Sequence, residues 1–263
     1  MPFAHHDDAR IYWKLEGVAS SALVLLNSIG TDMGLWDAAM PYLLPHFRVL
    51  RIDTRGHGAS DAPARDYSLW MLAGDVRAVM DDAGFDRAIV AGVSLGGMIA
   101  MELALACPDR VAALALICTS ATMDAASWAD RIAKVRDGGM AAVADLAMGR
   151  FLSPTFIAAR PEIAATVRRG LLTMDACGYA GAGAAIRDMA LVDRLGTIAV
   201  PTTVVTGTRD ISTPFEGHGA VLAARIAGAR MIAIETAHLA PIEAPEAIAG
   251  VLRDIVALGE TEQ

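Results

Sequence analysis

Residues 86–107 read D-R-A-I-V-A-G-V-S-L-G-G-M-I-A-M-E-L-A-L-A-C, and the parsing of this stretch decides the fold. Residues 88–91 are a short apolar run with β-branched Ile89 and Val90, the pattern of a strand buried on both faces. Residues 95–107 set Met98, Ile99, Met101 and Leu103 among alanines, a helical composition, and Pro108 stops the helix. Between strand and helix stands Gly92-Val93-Ser94-Leu95-Gly96. A G-x-S-x-G pentapeptide recurs by chance; the strand before it and the helix after it are the context that gives it meaning. In that context the serine occupies a strained turn and its hydroxyl stands exposed above the sheet. The two glycines remove the Cβ atoms that would hold strand and helix apart. Ser94 is the candidate nucleophile.

Toward the N-terminus, residues 9–17 alternate as an antiparallel strand after an Asp7-Asp8 turn. Residues 22–27 read as a second, buried strand running into Ser28-Ile29-Gly30-Thr31-Asp32. Trp36, Met40, Leu43 and Leu44 share a helical face that ends at Pro45. Residues 47–53 form the next strand, followed by the glycine-punctuated Thr54-Arg55-Gly56-His57-Gly58. Ser68 then caps a helix whose Leu69, Leu72, Val76, Val79, Met80 and Ala83 recur at helical spacing.

On the C-terminal side, residues 111–118 are another buried strand. Residues 125–136, 140–148, 161–176 and 179–189 all read as helices, with Gly138-Gly139, Ser153-Pro154 and Gly178 between them. Strands return only at 202–207 and 230–234, and a closing helix is expected over 241–258. Strands separated by helices predict an α/β fold, a mostly parallel sheet with right-handed crossovers. Residues 1–119 and 197–263 are then the core and residues 120–196 an inserted helical cap.

At 263 residues the chain is long enough for one large core carrying such an insertion. Hydrophobic residues at 54% against 20% charged exclude a disordered chain. The net charge of −8 argues against nucleic acid and against an anionic membrane surface, while leaving room for a small anion held by local arginines. No uninterrupted apolar span approaches the ~20 residues of a membrane helix. The opening M-P-F-A-H-H-D-D has no basic region followed by an apolar core, so a reducing cytoplasm is the expected setting. Cys107, Cys118 and Cys177 lack metal-ligand spacing; free thiols are expected, with Cys107 and Cys118 buried.

A serine hydroxyl becomes a useful nucleophile only when a base takes its proton, and the base needs an orienting carboxylate. Loops past the carboxyl ends of the strands converge on one crevice, so the partners are sought there. After the strand at 202–207 comes Thr208-Arg209-Asp210, and after that at 230–234 comes Glu235-Thr236-Ala237-His238. The order Ser94, Asp210, His238 is the one this architecture uses. His5 and His6 precede the first strands, His46 and His218 lie on helix flanks, and His57 belongs to a glycine-bracketed loop, so His238 is the expected base. Asp124 and Asp193 stay open as alternatives to Asp210. Negative charge developing on the substrate oxygen needs two fixed donors. One is the N–H of Leu95, directly after the nucleophile, and the other is expected from the 28–30 loop, at Ile29.

These residues resemble the α/β-hydrolase superfamily and, within it, the bacterial 3-oxoadipate enol-lactonases. The resemblance is carried by Asn27-Ser28-Ile29-Gly30-Thr31-Asp32 with Trp36, by R-V-L-R-I-D-T-R-G-H-G at 48–58, and by the serine pentapeptide. Gly207-Thr208-Arg209-Asp210 with Thr213-Pro214, and I-A-G-A-R at 226–230, extend it across the core. In the insertion Trp128, Arg131 and Gly178-Tyr179-Ala180 look similar. Two departures stand out: Leu239-Ala240-Pro241 follows His238 where these lactonases place Ser-Asn, and Leu95 replaces a usual Met. The resemblance implies serine-dependent hydrolysis of a small anionic enol-lactone through an acyl-enzyme, in aromatic-compound catabolism, with no cofactor or metal. An anionic substrate calls for a bidentate cation, and Arg131, one turn from Trp128, is the candidate. Trp128, Met33 and Met98 are candidate lining residues. Two other readings carry the same sequence: a broader carboxylesterase, lactonase or carbon–carbon-bond hydrolase with this triad, and a hydrolase fold serving as a ligand-binding receptor.

Overall fold

An eight-stranded sheet carries the chain from end to end in the computed structural model, which describes the backbone of residues 2–260 and the side chains of residues 2–255. The strands are β1 (Phe3–His6), β2 (Ala9–Glu16), β3 (Ser21–Leu26), β4 (Phe47–Ile52), β5 (Ala88–Val93), β6 (Val111–Ile117), β7 (Thr202–Gly207) and β8 (Arg230–Ile234). Their spatial order is β1-β2-β4-β3-β5-β6-β7-β8. The hairpin β1–β2 and the pair β2–β4 are antiparallel, and every other pairing is parallel. The central strands are unbroken apolar runs because helices cover both faces of a parallel sheet; β5 is buried at every position.

The helices are α1 (Met40–Leu43), α2 (Leu69–Asp82), α3 (Leu95–Ala106), α4 (Ala125–Gly138), α5 (Ala144–Phe151), α6 (Pro154–Ala159), α7 (Pro161–Thr173), α8 (Ala176–Arg187), α9 (Gly219–Arg225), α10 (Ala240–Glu243) and α11 (Pro245–Glu260). Between β6 and β7 there is no strand among the described residues, and α4 to α8 follow one another there. Chain order and spatial order part company at β3, which has β4 on one side and β5 on the other. This reversal opens a crevice above the carboxyl ends of β3 and β5. Leu26 pairs with Gly92, so the loop after β3 and the turn holding Ser94 emerge side by side.

Several expectations needed correction. The first four residues after Pro2 form β1, which places His5 and His6 on a strand rather than ahead of it. A two-residue turn at Asp7-Asp8 joins it to β2, with Asp7 at φ 51°, a conformation aspartate tolerates. Ser153-Pro154 starts a helix instead of separating two, because the Ser153 side chain accepts from the Phe156 N–H and proline suits the first helical turn. The helix expected over 140–148 is a 3-10 turn followed by α5, and Met174 and Asp175 separate α7 from α8. The closing helix is divided at Ala244, before Pro245. Cys118 is buried, Cys107 only partly so, and both are free thiols, as is the exposed Cys177.

Candidate active site

Ser94 sits at φ 54°, ψ −115°, a left-handed backbone that only a tightly constrained turn imposes on a serine. The constraint is visible at the neighbouring glycines. A Cβ on Gly92 would lie 2.2 Å from the Gly96 carbonyl, and one on Gly96 would lie 2.7 Å from the Leu26 oxygen. Strand β5, helix α3 and the end of β3 approach so closely that only hydrogen fits. The Ser94 N–H donates to Ile117 O (3.0 Å), and the Thr119 hydroxyl donates to Ser94 O (2.6 Å), tying the turn to β6.

The other two candidates are brought together. His238 Nδ1 lies 2.9 Å from Asp210 Oδ2. A carboxylate only accepts, so Nδ1 carries the proton and Nε2 keeps the lone pair. Asp210 also accepts from the Thr213 hydroxyl (2.7 Å) and from the N–H groups of Ser212 (2.8 Å) and Thr213 (3.2 Å). Burial opposes its charge, but His238 and these donors outweigh burial and hold the carboxyl at about 2. Asp124 instead accepts from the Ser127 N–H at the start of α4, and Asp193 lies in a 3-10 turn, so neither alternative meets His238.

The His238 loop is held by a residue that the sequence reading passed over. Glu243 accepts from the Ala237 N–H (3.1 Å) and from Ser153, through its N–H (2.5 Å) and its hydroxyl (3.1 Å). The Leu239 N–H donates to Phe151 O (2.9 Å), and the Phe151 ring lies nearly parallel to that of His238 with centroids 6.4 Å apart. The base is therefore seated between the sheet and the helical insertion.

On the opposite side of Ser94 the 28–31 loop is pinned from below. Buried Asn27 donates to the carbonyls of Ser28 (2.9 Å) and Thr31 (2.6 Å), while its own oxygen accepts from the Thr54 N–H and hydroxyl. The Gly30 N–H donates to Nε2 of His57, whose Nδ1 donates to Arg55 O. Full burial keeps His57 neutral by pushing it down to about 4, as an acceptor at Nε2 must be. The Trp36 indole donates to Leu26 O (3.3 Å). With the loop fixed this way, the N–H groups of Ile29 and Leu95 donate to no protein acceptor among the described residues.

Ser94, His238 and Ile29 open onto one cavity of about 580 Å³, together with Met98, Trp128, Arg131, Arg150, Phe151 and His218. The Ser94 hydroxyl donates to no protein atom among the described residues, an arrangement common before substrate fills a site. The Arg131 guanidinium stacks on the Trp128 ring, 4.6 Å from its centre. Lys134 also lines the cavity but is paired with Asp130 (2.7 Å). Arg131 and Arg150 are half-buried, and among the described residues neither has a carboxylate partner. Arg150 and His218 were absent from the sequence expectation; their neighbourhood depends on how α5 and the β7–α9 loop fold back, which no local pattern encodes. Met33 lies elsewhere, lining a second groove beyond the Gly30–Thr31 loop, where its N–H donates to Asp53.

The comparisons agree with this architecture. Residues 21–176 match the model of the alpha/beta hydrolase fold. The chain is 31% identical over 227 residues to 3-oxoadipate enol-lactonase 2 of Acinetobacter baylyi, covering 86% of this chain and 85% of that one. Among solved structures it is similar to the enol-lactonase from Burkholderia xenovorans, with a TM-score of 0.94 and 34% identity over 97% of this chain and 100% of that one. It is also similar to a hydrolase from Pseudomonas aeruginosa, with a TM-score of 0.93 and 39% identity, covering 97% of each. With a strained serine after β5, a carboxylate-bound histidine after β8 and this likeness over most of its length, the chain belongs to the α/β-hydrolase family.

Proposed function

We propose that the protein hydrolyses a small lactone bearing a carboxylate, of the 3-oxoadipate enol-lactone type, with Ser94 as nucleophile, His238 as base and Asp210 as the orienting acid. His238 Nε2 takes the Ser94 proton as Oγ attacks the lactone carbonyl, and the carbonyl electrons move onto oxygen beneath the N–H groups of Ile29 and Leu95. Collapse of this intermediate opens the ring and leaves an acyl-enzyme and an enol, which becomes a ketone. Water deprotonated by His238 then releases the acid. The setting that fits is aromatic-compound breakdown in the cytoplasm.

The observation that carries the anionic substrate is the pair Arg131 and Arg150, half-buried on the cavity of Ser94 and His238 and, among the described residues, without carboxylate partners, while Asp130 on the same wall is taken by Lys134 and Asp124 caps α4. Two such guanidinium groups in a protein of net charge −8 are suited to binding a carboxylate by forked hydrogen bonds. The likeness to enol-lactonases supports the same choice. A broader carboxylesterase is favoured by the apolar lining of Met98, Leu146, Ala147 and Phe151.

Steady-state kinetics on the enol-lactone and on a neutral nitrophenyl ester decide between them. Ser94→Ala should abolish turnover of both. Arg131→Met and Arg150→Met should each raise KM for the lactone about tenfold or more while sparing the neutral ester. Equal effects on both substrates would remove the anion-binding role, and faster wild-type turnover of the ester would favour the esterase.

A further inference from the structure

One histidine in the cavity has no part in the triad. His218 lies between the turn Phe215–Gly217 and α9, and it lines the same cavity as Ser94 and His238. Its Nδ1 is 2.7 Å from Ser120 Oγ. The Ser120 hydroxyl lies 2.6 Å from the Thr122 carbonyl oxygen, which only accepts, so the one hydroxyl proton is committed there. Nδ1 of His218 is then the donor to Ser120 Oγ, and the neutral ring keeps its lone pair on Nε2. Burial opposes a charge on this ring, against the pull of Asp210, and holds His218 below the ordinary histidine value. Among the described residues nothing donates to Nε2. A half-buried neutral acceptor on the wall of the nucleophile's cavity is open to a donor on the bound molecule.

The proposed reaction creates such a donor. When the tetrahedral intermediate collapses, the bond between the acyl carbon and the ring oxygen breaks and its electron pair stays on that oxygen. The proton that His238 took from Ser94 moves to the same oxygen, giving an enol hydroxyl. We propose that His218 Nε2 accepts a hydrogen bond from this hydroxyl and so selects for enol leaving groups over those that depart as anions. The inference rests on the enol-lactone reading. No proton passes to His218, and the ring stays neutral throughout. The hydroxyl turns to His218 only after His238 has released its proton, so the bond holds the opened enol against ring closure and contributes to kcat rather than to KM.

His218→Asn separates this role from a structural one. The Asn amide nitrogen takes the place of Nδ1 and preserves donation to Ser120, while the acceptor at Nε2 is lost. The expected result is a kcat on 3-oxoadipate enol-lactone about tenfold lower with KM unchanged. Turnover of 4-nitrophenyl acetate, whose nitrophenolate leaves without a proton, should match the wild type. Ser120→Ala, which frees the ring to turn, should lower lactone kcat in the same direction and less. An equal loss on both substrates, or none on the lactone, would overturn the assignment. If the unsubstituted enzyme turned over the ester but not the lactone, the enol-lactone reading itself would fall and take this inference with it; that failure shows before any substitution is made.

Discussion

Asp210 is buried and yet ionised, and the balance sets two expectations at the scale of one residue. Its carboxyl is held at about 2 against an ordinary 3.8, so its charged form is favoured by folding. A group depressed in this way contributes stability above its unfolded value and loses it as pH falls through the folded one. The contribution is on the order of 2 kcal/mol near neutrality. Urea melts of the wild type and Asp210→Asn should therefore differ by a constant amount near pH 6, and the difference should shrink between about pH 4 and pH 2. The same substitution should lower kcat by about four orders of magnitude, because an amide nitrogen facing Nδ1 favours the wrong tautomer of His238. A pH-independent difference, or an active Asp210→Asn enzyme, would contradict the geometry at His238.

Helix α8 shows what decides packing at the scale of an element. Its sequence, A-C-G-Y-A-G-A-G-A-A-I-R, is nearly all small residues, and it lies with its backbone against the loop after β4. A Cβ on Gly178 would fall 2.3 Å from the Gly56 oxygen, and one on Gly181 would fall 2.6 Å from the Arg65 oxygen. Both obstacles are backbone and cannot swing aside. Gly178→Ala should accordingly cost about 1–3 kcal/mol in a denaturant melt. It should also raise KM for an anionic substrate, since α8 supports α4, the helix bearing Trp128 and Arg131; a Cβ on Gly183 would lie 3.1 Å from Ile132. Gly170→Ala is the internal control: among the described residues nothing beyond the helix's own backbone stands within 4 Å of a Cβ at this position in α7, so stability should rise by roughly 0.5–1 kcal/mol. Equal behaviour of the two alanines would refute the close-approach argument.

At the scale of the molecule, a sheet buried at its centre is joined to helices α4–α8 by scattered polar ties, among them Asp66 to Arg136 and Arg187, Arg209 to the Thr155 hydroxyl, and the Tyr67 N–H to Gly181 O. Glu243 bridges Ala237 to Ser153, Arg194 pairs with the nearly buried Glu102 of α3 (2.7 Å), and the Leu239 N–H reaches Phe151. The strands β3, β5 and β6 bury Leu23, Val24, Leu25, Val90, Ala91, Leu114 and Leu116 completely. Helices α5 to α7 carry long exposed stretches instead. Amide hydrogen exchange should be slowest in β3, β5 and β6, near the global unfolding free energy. Exchange in α5–α7 should proceed through a smaller opening that leaves the sheet intact. Uniform protection across both would mean that insertion and sheet open as one unit.

By itself the sequence determined whatever short-range chemistry records. Unbroken apolar runs located β3, β5 and β6, the β-branched run T-T-V-V-T located β7, and the glycines around Ser94 announced a turn that no Cβ permits. The loops at 208–210 and 235–238 supplied Asp210 and His238 in the right chain order. What is short or polar escaped: F-A-H-H carries no strand signal of its own and becomes β1 only because β2 is there to pair with it. Pro154 reads equally as an end or a beginning, and the Ser153 hydroxyl settles it. Only the tertiary structure decided which side chains share the cavity. Arg150, His218 and Glu243 lie 56, 124 and 149 positions beyond Ser94, counted along the chain, on segments whose local patterns are those of ordinary surface helices and turns. Periodicity and turn chemistry are properties of neighbours in sequence, whereas a cavity wall is made by packing elements far apart in it. The fold was therefore legible from the residues, and the cavity wall only in part: Met98, Trp128 and Arg131 were in view, Arg150 and His218 were not.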